Sequence, residues 1–218
     1  DKTTVSEGGQ VTYTVTLTNA AGLPMASHGE LTFKLTDGTE IKIPANSTVG
    51  TAVVTAKDDI FTGGQPAIVN KLVSVSDNNF EKLTLTDITL TTTVTDEPSG
   101  QGDKINVTIE SNGDVLENAP AKFTVKVDQV LKQDLTVTLN NGDTVVIKAG
   151  TTSVPYEIKA QGDDVYKDGG IIKASVTGAS VSGKSFENLV LGGEASVKVD
   201  DTLTEVKATL TVDKTTVS

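Results

Sequence analysis

Hydrophobic and polar residues alternate along most of the chain. In QVTYTVTLT, Val11, Tyr13, Val15 and Leu17 share one face and threonines occupy the other; this is the period of a half-buried strand. LTFKL, EIKI and TAVVTA follow the same rule, as do IVNKLVSVS and LTLTDITLTTTV. Further along come KINVTI, AKFTVKV, LTVTL, TVVIKA, SVPYEIKA, IIKASVTGA and EASVKV. TDGT around Gly38 and NNGD around Gly142 read as hairpin turns between them. The pattern predicts an all-β protein built from short strands.

Composition sharpens that reading. The 218 residues include 34 Thr and 28 Val, β-branched types that favour strands over helices. There is no Cys, so disulfides, thiolate metal sites and Cys nucleophiles are excluded. A single histidine, His28, sits in the polar stretch MASHGE and reads as an exposed loop residue; alone it rules out a His-based zinc site or a Ser-His-Asp triad. The net charge is −11 and every basic residue is Lys. Without Arg the chain lacks the bidentate fork that suits phosphate and guanine, so no nucleic-acid partner is expected. No apolar run is long enough for membrane insertion.

The chain also repeats. DKTTVS at its start recurs unchanged 212 residues later as its last six residues, so the chain reads as a window on a longer tandem array. A weaker repeat lies within that period. VSEGGQVTYTV from Val5 matches VLENAPAKFTV from Val115, and DGTEIKIPANSTV from Asp37 matches NGDTVVIKAGTTSV from Asn141. KDDIFTGG from Lys57 matches GDDVYKDGG from Gly162, NFEKLTL from Asn79 matches SFENLVL from Ser185, and VTDE from Val94 matches VDDT from Val199. The matches are collinear. They predict two homologous units, 1–98 and 103–203, joined by the linker EPSGQGD. The strand number and spacing predict a fold of two tandem immunoglobulin-like β-sandwich domains. Phe33, Phe61 and Phe80 in the first unit, and Phe123, Tyr166 and Phe186 in the second, are expected to fill the space of the missing Cys pair and Trp. The second unit opens with KINVTIESNGD, which the first unit lacks; its copy is EVKATLTVDKTTVS at 205–218. The segment 204–218 therefore reads as the first strand of a third unit.

Acidic residues gather at three places in each unit: Glu7, Asp58-Asp59 and Asp96-Glu97 in the first, and Glu117, Asp163-Asp164 and Asp200-Asp201 in the second. In a sandwich these segments can lie at one pole, where converging carboxylates repel unless a cation neutralises them. Oxygen donors without His or Cys suit Ca²⁺. Asn118-Ala119 replaces Gly8-Gly9, which is expected to alter the turn at Glu117 and weaken its site.

VSEGGQVTYTVTLTNA, DGTEIKIPANSTVGTAVVTAKDDIFTGG and NFEKLTLTDITLTTTVTDE together resemble the immunoglobulin-like extender repeats of giant type I-secreted RTX adhesins that build biofilms, and are similar to Calx-β domains. The resemblance implies Ca²⁺ ligands at Glu7, Asp58, Asp59, Asp96 and Glu97, and at Glu117, Asp163, Asp164, Asp200 and Asp201. It implies a secreted protein on the bacterial cell surface, with Ca²⁺-dependent stiffness at the domain junctions. No catalytic constellation is visible, so a non-enzymatic structural spacer is expected; the alternative is a module that binds carbohydrate or protein. The partners expected are neighbouring repeats of the same chain. In solution the fragment is expected to be mostly monomeric, save for end-to-end pairing through the strand near 208–212.

Overall fold

The structure, a computed structural model, describes residues 3–159 and 161–213. Those residues form seventeen strands and no helix. The chain divides into two units, Asp1–Asp103 and Lys104–Ser218.

The first unit runs β1 (Thr4–Ser6), β2 (Gln10–Thr16), β3 (Leu31–Leu35), β4 (Glu40–Ile43), β5 (Val49–Thr55), β6 (Ile68–Asn70), β7 (Leu72–Ser76) and β8 (Leu90–Thr95). One face holds β1-β8-β6 and β4-β3-β7, and the other holds β2-β5. The second unit runs β9 (Lys104–Ser111), β10 (Val115–Leu116), β11 (Ala121–Val127), β12 (Leu135–Leu139), β13 (Thr144–Ile147), β14 (Ser153–Ile158), β15 (Gly170–Ser180), β16 (Asn188–Leu191) and β17 (Glu194–Asp200). Its sheets are β10-β17-β15-β12-β13 and β14-β11-β9-β16. Each unit is an immunoglobulin-like sandwich, with alternate residues of both sheets turned inward.

Most strands of the two units correspond, down to a shared irregularity. The register of β3 against β7 shifts between Lys34 and Leu35, and that of β12 against β15 shifts at the matching Thr138 and Leu139. The differences are equally informative. IVNKLVSVS, which alternates as one strand, is broken at Lys71 into β6 and β7. Of LTLTDITLTTTV, only Leu90–Thr95 is a strand. The matching residues of the second unit, Asn188–Leu191, become β16 by pairing with β9. The first unit has no counterpart of β9 among the described residues, so residues 83–85 alternate correctly but have no edge to pair with. The segment 201–213 likewise lies outside any strand, and residues 214–218 of the expected third-unit strand lie outside the described residues.

The core is aliphatic around one buried phenylalanine and one largely buried tyrosine per unit, Tyr13 in the first and Tyr156 in the second. Phe33 is 1% exposed and Phe123 is 0% exposed. Tyr166 does not share that role: it is 72% exposed, on the loop before β15. Tyr156, an inward position of β14, packs on Phe123 instead, with ring centroids 6.2 Å apart. Its hydroxyl donates to Asp143 at 2.7 Å, which satisfies the polar end of a largely buried ring. His28 is not a free loop residue; its Nε2 lies 2.5 Å from the Ser47 carbonyl and its ring packs on Phe80.

Phe123→Ala should lower the stability of the second unit by about 3–5 kcal/mol, because the close-packed core cannot collapse into the cavity. Tyr166→Ala should stay within about 0.5 kcal/mol of the parent chain. Denaturant unfolding followed by circular dichroism measures both, and a large loss at Tyr166 would contradict the packing described above.

Candidate metal centres

The pole of each unit is assembled by a parallel strand pair. β1 pairs with β8 (Thr4↔Thr93, Val5↔Val94, Ser6↔Thr95) and β10 with β17 (Val115↔Val199, Leu116↔Asp200). Both strands of each pair therefore end side by side. The Glu7 N–H donates to the Thr95 carbonyl at 2.8 Å, and the Glu117 N–H donates to the Asp200 carbonyl at 2.9 Å. The turn that follows β1 is tight. Gly8 has φ of 64°, and a β-carbon on Gly9 would lie 2.6 Å from Val5 Cγ2 and 2.8 Å from the Ser6 carbonyl. The Gly9 carbonyl accepts from the Ala56 N–H at 2.8 Å, which draws the exit of β5 to the same place. Asn118 and Ala119 make the second unit's turn without a positive φ. The turn still closes, with the Ala119 N–H donating to the Leu116 carbonyl at 2.9 Å, and Glu117 is fully buried.

In the first unit the acidic residues divide by role. Asp59 and Asp96 hold the loop. Asp59 accepts from the Phe61 N–H at 2.7 Å and from Gln65 Nε2 at 2.9 Å. Asp96 accepts from the Gly63 N–H at 2.9 and 3.0 Å, and also from the Gly64 N–H. A β-carbon on Gly64 would lie 2.7 Å from the Val94 carbonyl, so the loop comes this close only because that residue is glycine. Glu7, Asp58 and Glu97 each place a carboxylate oxygen within 4.8 Å of the other two. Glu7 Oε2 accepts from the Asp59 N–H at 3.0 Å. Glu7 Oε1 and Glu97 Oε2 are buried with no hydrogen-bond donor.

The second unit varies this plan. Asp164 accepts from the Tyr166 N–H at 2.7 Å, as Asp59 does from Phe61. Asp201 accepts from the Asp168 N–H at 3.0 Å and from the Gly169 N–H at 2.6 Å, as Asp96 does from Gly63 and Gly64. The place of Glu97 is taken by Thr202. Its N–H and hydroxyl meet Glu117 Oε1 at 2.9 and 2.7 Å, and the hydroxyl also contacts Asp163 Oδ1. The close acidic triple here is Glu117, Asp168 and Asp201, and Glu117 Oε2 is buried without a donor. Asp168 stands where the first unit has Gly63.

Of the acidic residues read from the sequence, Glu7, Asp58, Glu97, Glu117 and Asp201 fall within the two triples. Asp59, Asp96, Asp163 and Asp164 lie beside them, bonded to backbone or hydroxyl groups. Asp200 does not join: it occupies the outward position matching Thr95 and forms an ion pair with Lys198 at 2.6 Å. Asp168 escaped the sequence reading, because aligning Gly63-Gly64 with Gly169-Gly170 makes it an inserted loop residue; the hydrogen bonds pair Gly64 with Gly169 instead.

Crowding raises the proton affinity of the first centre. Burial pushes the Glu7 carboxyl up, the Asp59 N–H opposes this, and the charges of Asp59, Glu97 and Asp96 push it further up. Burial likewise raises Asp58, followed by the charges of Asp103 and Glu97. A pole that resists ionisation is poised to gain from a cation.

A tandem pair of immunoglobulin-like sandwiches, each with an acidic pole at the end of its last strand, defines the class of module. The family model of the LapA domain matches residues 1–97 and again 103–202. The chain belongs to the LapA domain family, an adhesin family. No curated protein matches the chain. Among solved structures, CBD12 from CALX1.2 is similar at 10% identity, covering 91% of this chain and 96% of that one, with a TM-score of 0.33. The calcium binding domain CBD12 of CALX1.1 is similar at 9% identity, covering 89% and 95%, with a TM-score of 0.33. The fibronectin(III)-like modules of Clostridium thermocellum CbhA are similar at 14% identity, covering 97% and 95%, with a TM-score of 0.26. No helix among the described residues is long and apolar enough to cross a membrane.

The raised affinities fix a pH dependence for the metal-free chain. Where the folded state keeps a proton that the unfolded chain has released, stability is greatest below the ordinary carboxylate range. It then falls as pH rises through the raised values. Asp37, lowered by its hydrogen bonds to Asn70 and Thr39 although burial opposes them, contributes with the opposite sign. The difference between the parent chain and Glu7→Gln isolates the pole. In chelator, the variant should gain melting temperature relative to the parent as pH rises from acid to neutral. A flat difference profile would show that Glu7 is not strained.

Proposed function

We propose that each acidic pole holds a Ca²⁺ ion, and that the chain is a structural extender section of an RTX-type adhesin, secreted to the bacterial cell surface and serving adhesion and biofilm formation. The observation that carries the metal reading is the pair of buried carboxylate oxygens, Glu7 Oε1 and Glu97 Oε2, with no donor in a cluster of like charge. Burying ionised carboxylates together is costly unless a counter-charge joins them. Two oxygens ligating one Ca²⁺ at about 2.4 Å lie at most about 4.8 Å apart, and the oxygens of Glu7, Asp58 and Glu97 fit that limit. Backbone carbonyls and water complete the six to eight ligands that Ca²⁺ takes. Mg²⁺, which demands a tighter octahedron, fits the loose acidic cluster less well.

Architecture supports the extender reading. The two units repeat one plan and both match the family model of an adhesin domain, which supports a non-enzymatic module of an adhesin. Glu97 is at once a member of the acidic triple and the first residue of the EPSGQGD linker. An ion held by Glu97 anchors the chain where the linker begins. Losing the ion releases that anchor and restores repulsion among the carboxylates, so stiffness becomes a function of Ca²⁺.

Calcium titration with thermal melting tests the metal. Ligand at a hundredfold excess over Kd stabilises by about 2.7 kcal/mol, so the melting temperature should rise by several degrees and fall again in chelator. Asp58→Asn should remove the gain of the first unit and leave that of the second; equal gains in parent and variant would refute the assignment. Glu97→Thr, which gives the first unit the residue that the second has at that place, should weaken binding without abolishing the fold. Small-angle scattering tests the stiffening separately. An unchanged maximum dimension with Ca²⁺ bound would leave a metal site without a mechanical role.

A further inference from the structure

We infer that Asn46 is an acceptor for an N-linked sugar, carried at the end of the first unit away from its acidic pole. The pattern Asn-x-Ser/Thr occurs twice in the chain, as Asn46-Ser47-Thr48 and as Asn106-Val107-Thr108. An enzyme that joins sugar to asparagine reads the amide together with the hydroxyl two residues on, and it needs both on accessible chain. The structure separates the two matches. Residues 44–48 lie between β4 and β5, outside any strand, and Asn46 is exposed. The backbone there is held: the Asn46 N–H donates to the His28 carbonyl at 3.1 Å, and the Ser47 N–H donates to the Pro44 carbonyl at 3.0 Å. The side-chain bonds of this turn belong to Ser47 and His28, and none among the described residues engages the Asn46 amide. Asn106 is the opposite case. It lies within β9, between β11 and β16. Its Nδ2 donates to Asp128 Oδ2 at 2.5 Å, and its N–H donates to Asp128 Oδ1 at 3.1 Å. Thr108 is covered as well: a β-carbon on Gly192 would lie 2.6 Å from its Cγ2.

The second unit shows that the fold itself does not call for an acceptor at this turn. Gly150 stands in the place of Asn46: its N–H donates to the Leu131 carbonyl at 2.9 Å, and the Thr151 N–H donates to the Lys148 carbonyl at 3.0 Å. The carbonyls of Thr48 and Thr152 accept from Leu17 and Val127 at 2.8 and 2.9 Å. The turn position has φ of 60° at Asn46 and 83° at Gly150, a region that glycine reaches freely and asparagine tolerates. Either residue meets the backbone geometry, and only asparagine adds an amide. The turn is also remote from the carboxylates. Val49 lies opposite Thr16 and Thr55 opposite Gln10, so Asn46 enters β5 at one end of β2 while Glu7 precedes the other. The seven residues of β2 put about 20 Å between them. The inference therefore stands apart from the calcium reading. The co-reactant is a sugar activated as a phosphate ester. A bond from Asn46 Nδ2 to the sugar C1 forms as the C1–O bond to phosphate breaks. The phosphate leaves with the electron pair, and the amide proton passes to a base of the transferase.

Peptide mapping by mass spectrometry tests this on the chain produced by its own cells. Trypsin cuts after lysine, so the two matches fall in separate peptides, 43–57 and 105–122. Peptide 43–57 should carry sugar; a single hexose from a nucleotide-linked donor or a whole oligosaccharide from a lipid-linked one supports the assignment. Peptide 105–122 should be bare. Asn46→Gly, which installs the residue that the second unit uses at this turn, should remove the sugar and leave the fold intact by circular dichroism. Thr48→Ala keeps the amide and should remove the sugar too, whereas Thr48→Ser should retain it. An unmodified peptide 43–57 in the parent chain overturns the assignment. Sugar that survives Asn46→Gly or Thr48→Ala, or sugar on peptide 105–122 of the folded chain, overturns it equally, because the addition would then be blind to the amide, the hydroxyl or burial.

Discussion

The parallel contact between a short early strand and the last strand of each sandwich governs the rest. Because β1 lies beside β8, and β10 beside β17, the turn that follows the early strand emerges next to the residues that close the domain. A glutamate in that turn then meets acids far away in sequence, with the Glu7 and Glu117 amides pinned to carbonyls of the last strand. Without this pairing the acidic residues would sit on separate solvated loops. With it, Glu7 is 4% exposed and Glu117 is 0% exposed, and burial raises the proton affinity of Glu7.

Much of this was legible in the sequence, because alternation and turn chemistry are local properties. Val11, Tyr13, Val15 and Leu17 fall inward as their period requires, and the hairpins at Gly38 and Gly142 join β3 to β4 and β12 to β13. What could not be read depends on partners. Residues 83–85 have the pattern of a strand but lack the neighbour that makes one. Tyr156 and Tyr166 are the same residue type, and only the pleat of β14 decides that the first is inside. Within the acidic set, the division between side chains that tie down backbone and those left without donors rests on single hydrogen bonds. Asp59 and Asp58 are adjacent and alike in sequence, but only Asp59 caps an N–H two residues on.

The two units also show how one plan tolerates change at its most crowded point. Gly8-Gly9 becomes Asn118-Ala119, and the turn closes through different torsions with the same hydrogen bond. Glu97 becomes Thr202, and a hydroxyl meets the glutamate where a carboxylate had opposed it. Gly63 becomes Asp168, which adds back a negative charge on the facing loop. The two poles thus have similar total charge in different arrangements, and such pairs can differ in affinity while keeping one fold.

The direction of β1 against β8 bears on how the fold meets force. Tension on the chain pulls β1 one way and β8 the other along a shared axis, because parallel neighbours have their loaded ends at opposite extremes. Their hydrogen bonds are then sheared together rather than peeled in sequence, and a patch of three paired residues resists as a unit. The carboxylates of Glu7 and Glu97 sit just past the ends of those strands, so a cation shared between them would bridge the shear plane itself. A domain built this way resists tension between its two ends better than tension that peels the pair apart.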